Sequence, residues 1–225
     1  MELLVFGHKG ARVLLFPTRG ARFFDYENWR VIEAIADKIQ AGHFQIFCVD
    51  SIDHETFYSK FQPQERIQKH LLYEKYIIEE VLPFSRKKNP EPYMISAGCS
   101  LGAYHCVNIA FKYPEYFGKI VGMSGRYNLT VPMGTFRDLF DGYIDSTIEN
   151  NTPQIFLEKY ATEEQLELIR RMEIILIVGI EDAFLQDNRF FSTSLSEYNI
   201  HHELSIWDDE AHKPWYWRKM FRMYL

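Results

Sequence analysis

Apolar residues along the chain alternate between short uninterrupted runs and longer stretches spaced at three and four. This rhythm predicts strands alternating with helices. The runs Leu3–Phe6 and Val13–Phe16 flank Gly7-His8-Lys9-Gly10, which reads as a β-hairpin with a glycine-bearing turn. A polar loop over 17–27 follows, and then Ile32, Ile35, Ala36 and Ile39 keep helical spacing until Gly42. After a strand at 44–49, the stretch 64–82 places Ile67, Leu71, Ile78 and Leu82 on one helical face, with Pro83 expected to end it.

The second half repeats the rhythm. A strand at 93–97 runs into Gly98-Cys99-Ser100-Leu101-Gly102, and the helix beyond it has Ala103, Val107, Ala110 and Phe111 on its inner face. A strand at 120–123 precedes a polar, turn-rich segment over 125–151. One helical stretch is predicted over 153–171. Strands at 174–178 and 203–207 bracket a helix that buries Phe191, Leu195 and Tyr198, and a last helix starts near Lys213. Such alternation implies an α/β architecture: a mainly parallel sheet covered on both faces, with the antiparallel hairpin at its N-terminal end. No repeat or linker divides the chain, so residues 1–225 are expected to form one domain, with 125–151 as a lid or pocket-forming insertion.

Composition narrows the function classes. The 225 residues carry 31 acidic and 25 basic side chains, a formal charge of −6, with no basic patch for a phosphate backbone, so nucleic acid is not an expected partner. The start, MELLVFGHKG, lacks the positive charge of a signal peptide, and no apolar run approaches a membrane span, so a cytoplasmic protein is expected. Cys48, Cys99 and Cys106 occupy no CxxC spacing, which disfavours a disulfide framework or a zinc site. Several predicted helices carry apolar faces, so a homo-oligomer is compatible with the sequence.

The chemistry concentrates at Ser100. Between a strand and a helix, Gly-x-Ser-x-Gly lets the chain turn sharply enough to lift the serine hydroxyl above the sheet, and the helix N-terminus points its amides at a developing oxyanion. The bland alternative, a serine capping the helix, requires no glycine on both sides. Cys99 beside it is expected to point into the sheet packing. In this kind of fold an acid and then a base follow the nucleophile at later strand ends. Gly179-Ile180-Glu181-Asp182 follows the strand at 174–178, which nominates Asp182 over Glu181. His212 stands in Asp208-Asp209-Glu210-Ala211-His212 before the last helix and is the candidate base. His105, His201 and His202 are expected to pack or to lie at a strand start. The backbone amide of Leu101 is the first expected oxyanion donor. Phe23, Phe24, Tyr26, Tyr143, Trp215 and Trp217 fall in segments able to surround such a site.

These segments, together with Leu15-Phe16-Pro17-Thr18-Arg19-Gly20, Met123-Ser124-Gly125 and His212-Lys213-Pro214-Trp215-Tyr216-Trp217, resemble the putative esterase family of α/β hydrolases, which includes esterase D and the bacterial mycolyltransferases. The resemblance covers nearly the whole chain. It implies an α/β-hydrolase fold and a serine esterase that forms an acyl-serine on a small-molecule acyl ester, with no metal or organic cofactor. It also implies that the amide of Arg19 is the second oxyanion donor. Two departures stand out: Pro17-Thr18 replaces the His-Gly of many relatives, and Lys213-Pro214 stands where relatives often have a single Asp. An acyltransferase using the same residues, or a silent binding protein on the same fold, are the alternatives.

Overall fold

The computed structural model describes residues 1–225. Strands β1 (Leu3–Phe6), β2 (Ala11–Phe16), β3 (Phe44–Val49), β4 (Met94–Cys99), β5 (Lys119–Met123), β6 (Glu173–Gly179) and β7 (Glu203–Trp207) form one sheet in the order β1-β3-β2-β4-β5-β6-β7. All neighbours are parallel except β1 and β3. The α/β architecture matches the expectation, and so does an antiparallel strand at the N-terminal end.

Its partner is different. β1 does not pair with β2 as a hairpin would; β3 inserts between them, with Leu3 opposite Val49 and Phe6 opposite Ile46. The connection at 7–10 crosses over the start of β3 instead of turning beside β1. It does so at van der Waals limits. A Cβ on Gly7 would sit 2.6 Å from the Phe44 carbonyl oxygen, and one on Gly10 would sit 2.3 Å from the carbonyl oxygens of Gly42 and His43. Both glycines also have positive φ, 89° and 91°, so the residues that suggested a tight turn serve a crossover.

The helices are α1 (Asp25–Asn28), α2 (Val31–Ala34), α3 (Ala36–Gln40), α4 (Pro63–Tyr76), α5 (Leu82–Lys88), α6 (Leu101–Lys112), α7 (Ser146–Asn150), α8 (Pro153–Lys159), α9 (Glu163–Ile169), α10 (Leu185–Glu197) and α11 (Pro214–Tyr224). Alternate strand residues serve opposite faces of the sheet. Leu14, Phe16 and Leu176 pack with residues of α4, α5, α6, α8, α9 and α10 in one core. Val13, Leu15 and Ile177 pack with Tyr26, Ile32, Ile39, Trp217 and Phe221 of α1, α2, α3 and α11 in the other. A third, smaller cluster joins Leu129, Leu139, Phe140 and Ile148 to Phe57, Ile67, Leu101 and Tyr104, holding the 125–151 segment against α4 and α6.

Two helical expectations change. Pro83 does not end the helix that begins at Pro63. A π-helical turn at Ile77–Val81 leads directly into α5, where Pro83 occupies an early position. The wider turn has already displaced the regular ladder, so a missing N–H there breaks little. The buried face of α4 also includes His70 and Glu74, which join Asn108 and Lys112 of α6. The stretch 153–171 divides into α8 and α9 because Thr162 and Gln165 form a reciprocal capping box that starts a new helix.

Candidate active site

The parallel strands end together, and the candidate residues follow their C-terminal ends, where α/β sheets place ligands. Ser100 follows β4, Ser124 follows β5, Asp182 follows β6, and His212 lies beyond β7. Backbone bonds tie these ends into one rim. The Ser100 amide donates to Met123 O at 2.8 Å, the Ser124 amide to Ile177 O at 2.6 Å, and the Glu181 amide to Asp209 O at 3.0 Å.

At Ser100 the chain adopts φ 55° and ψ −119°, a conformation that L-residues rarely hold. Close packing enforces it. A Cβ on Gly98 would lie 2.3 Å from the Gly102 carbonyl carbon, and one on Gly102 would lie 2.2 Å from Phe16 O. Tyr26 adds a hydrogen-bonded tie beneath the turn: its hydroxyl accepts from the Cys99 amide at 3.0 Å and donates to Phe16 O at 2.8 Å. Cys99 itself ends β4 with its side chain buried in the core shared with α1, α2, α3 and α11, where burial pushes its thiol well above the ordinary range and suits it to packing.

The loop beyond β7 is equally constrained. Gly179, the last residue of β6, passes so close that a Cβ would sit 2.1 Å from Glu210 O. Asp209 and Ala211 both have positive φ, and the Ser124 hydroxyl donates to Ala211 O at 3.3 Å. These contacts aim His212 at the cavity. Its Nδ1 lies 2.9 Å from Asp182 Oδ2, the geometry that leaves Nε2 facing outward in the neutral tautomer. Asp182 is buried, and its other oxygen accepts from the Phe184 amide at 2.9 Å. The imidazole sits beside Phe184 and Trp217, with ring centroids at 5.7 and 5.8 Å. Glu181 is exposed and takes no part in this contact. Nor do the neighbouring acids reach the imidazole: Asp209 accepts from the Tyr216 hydroxyl, and Glu210 pairs with Lys213.

Ser100 and His212 line one cavity of about 280 Å³ with Leu101, Thr18, Arg19, Tyr58, Arg126, Phe136, Leu139, Phe184 and Trp217. No hydrogen bond joins the serine hydroxyl to the imidazole; the two groups meet as neighbours on the cavity wall. Leu101 opens α6, so its amide has no intrahelical acceptor and is free for an oxyanion. Arg19 lies in a turn closed by the Ala21 amide on Thr18 O, and the Gly20 amide donates to buried Asp53 at 2.5 Å. Asp53 also receives the Ser51 hydroxyl, so a buried carboxylate fixes the loop on which Arg19 sits.

Of the six aromatics nominated as site walls, Trp217 alone lines the cavity. Tyr26 lies beneath the serine turn, Phe23 and Phe24 pack edge to face on each other, Tyr143 bonds Asp145, and Trp215 is exposed. His105 is buried among Phe16, Phe57 and Tyr73, and burial holds its imidazole well below the usual range. His202 bonds Ser192 away from the site. The 125–151 segment contributes Arg126, Phe136 and Leu139 to the cavity wall. Sequence reasoning missed Tyr58, Phe136, Phe184, Asp53 and Arg126.

A model of the family described as "Putative esterase" matches residues 21–221. No curated protein matches the sequence. Among solved structures, a ferulic acid esterase aligns with a TM-score of 0.72 at 18% identity, covering 96% of this chain and 84% of that one. An S-formylglutathione hydrolase from Agrobacterium tumefaciens aligns with a TM-score of 0.73 at 14% identity, covering 98% and 86%. A fluorophosphonate-binding serine hydrolase from Staphylococcus aureus aligns at 0.68 and 18%, covering 98% and 89%. At these identities the likeness establishes the fold, which is that of the α/β hydrolases. No helix is long and apolar enough to cross a membrane.

Proposed function

The chain belongs to the putative esterase family of carboxylic-ester hydrolases, and from that premise we propose that it cleaves acyl esters through an acyl-Ser100 intermediate. One observation carries the reading. The serine held at positive φ on the strand-to-helix turn shares a cavity with an imidazole whose Nδ1 lies 2.9 Å from a buried carboxylate.

The steps follow from those positions. His212 Nε2 takes the Ser100 proton as Oγ attacks the acyl carbon, and Asp182 holds the ring and stabilises the imidazolium. The amides of Leu101 and Arg19 donate to the tetrahedral oxyanion, where charge appears only along the reaction path. His212 then gives its proton to the departing alkoxide. Water enters, loses a proton to His212, attacks the acyl carbon, and releases the acid as Ser100 recovers its proton. No step calls for a metal or an organic cofactor.

The test is hydrolysis of 4-nitrophenyl acetate and butanoate by wild type and Ser100→Ala, with circular dichroism confirming that both are folded. Wild type is expected to turn over both esters, and the variant is expected to fall by roughly 10⁴-fold or more. Turnover retained by folded Ser100→Ala would refute the acyl-serine route.

A further inference from the structure

The chain is acidic overall, yet no carboxylate lines the catalytic cavity, and two arginines do. Arg126 is the unusual one. It is buried, at 4% exposure, and no acidic side chain forms an ion pair with it. Its Nε donates to Asn128 O at 3.2 Å and its Nη2 to Val131 O at 2.6 Å, while Nη1 makes no hydrogen bond, and the residue lines the cavity. Two carboxylates, Asp187 and Asp138, attract Arg126 without pairing with it. Asp187 accepts from the amides of Tyr127 and Asn128 and from Gln154, and Asp138 accepts from the amides of Phe140 and Gly142. Burial lowers the Arg126 guanidinium below its ordinary range, against the opposing pull of Tyr58, Asp187 and Asp138.

A buried, permanently charged group with no carboxylate bonded to it is costly to keep, and a planar guanidinium with free donors is shaped for a carboxylate. Arg19 stands at the same cavity, its guanidinium 5.1 Å from the Tyr58 ring centroid, and both arginines act on Tyr58. We propose that the preferred substrate is an ester that itself carries a carboxylate, received by Arg126 with Arg19 at the mouth. This rests on the esterase reading above. It adds that Arg126 sets specificity through charge rather than through apolar fit.

The experiment compares matched esters. One pair, 4-nitrophenyl hydrogen glutarate and 4-nitrophenyl pentanoate, places the carboxylate on the acyl side. The other, 3-acetoxybenzoate and phenyl acetate, places it on the leaving side. In one pair, wild type is expected to show kcat/KM higher for the anionic ester by about 10- to 100-fold, and Arg126→Gln is expected to bring that ratio close to one. A purely structural arginine would lower both esters together and leave the ratio unchanged. In parallel, monomethyl glutarate and methyl pentanoate are titrated by calorimetry into Ser100→Ala and into Ser100→Ala/Arg126→Gln. Selective binding of the anionic ester, lost in the double variant, supports the proposal even if no ester is turned over, an outcome that would refute only the hydrolytic reading. Equal handling of charged and neutral esters by wild type overturns the proposal while leaving esterase activity in place. A ratio that survives Arg126→Gln overturns it as well.

Discussion

The serine turn and the 125–151 segment border the same cavity but are held by opposite physics. At the turn, backbone meets backbone: Gly98 abuts Gly102, Gly102 abuts Phe16 O, and Tyr26 ties Cys99 to Phe16 from below. The segment rests on a small apolar cluster and on charged side chains that reach its backbone. Arg66 donates to Leu139 O and Phe61 O and pairs with Asp141, while Asp187 takes the amides of Tyr127 and Asn128. The turn therefore has almost no tolerance for added volume and little dependence on pH. The segment should be the reverse, suited to varying what the site accepts while the reacting groups stay fixed.

The largest expected effect tests the first half of that contrast. Gly102→Ala should destabilise the protein by roughly 3 kcal/mol or more, because the clash is with backbone that cannot rotate away. It should also slow acylation of any Ser100 that remains folded. Chemical denaturation and burst kinetics read the two effects. If Gly102→Ala left both unchanged, the turn would be looser than described.

The second prediction concerns pH. Burial pushes the Asp187 carboxyl up to about 6, against the amides of Tyr127 and Asn128, the charge of Arg126 and the Gln154 side chain, which favour its charged form. A folded-state value above the unfolded one means that the folded chain binds the extra proton between about pH 4 and 6. Stability contributed by this group is thus present at the acid end and lost as pH rises through that window. Measured against Asp187→Asn, the wild type should lose on the order of 3 kcal/mol between pH 4 and 7. A constant difference between the two would remove pH dependence from the segment.

Next in size, Arg66→Met should cost about 2 to 3 kcal/mol by leaving Leu139 O and Phe61 O without their donor. Because Leu139 lines the cavity, KM should rise more than kcat falls. The smallest effect belongs to Tyr26→Phe. Loss of a buried hydroxyl that serves two backbone groups should cost about 1 to 2 kcal/mol in denaturant titrations, with the fold retained.

The same contrast explains what could be read from the chain. The alternation of strands and helices and the glycine spacing around Ser100 are local patterns, and local sterics impose them. Asp182 and His212 were nominated by their places after successive strand ends, and the parallel sheet brings those ends together. Long-range choices were not legible in this way. Nothing in residues 3–16 tells that β3 will enter between β1 and β2, and the glycines that serve the crossover look like those of a turn. Pro83 ordinarily ends a helix, but a π-helical turn upstream absorbs it. Arg126 resembles any loop arginine until burial and the absence of an ion pair single it out, and Asp53 resembles any loop acid until the Gly20 amide is seen to point at it. Aromatic side chains were the least informative, since apolar packing and cavity lining draw on the same residues.

Intact-protein mass spectrometry after incubation with a fluorophosphonate tests the central claim most directly, comparing wild type with Ser100→Ala and His212→Ala. The account predicts one adduct on wild type, none on Ser100→Ala, and much slower labelling of His212→Ala. A folded wild type that takes no adduct, or a Ser100→Ala variant that still takes one, would contradict it.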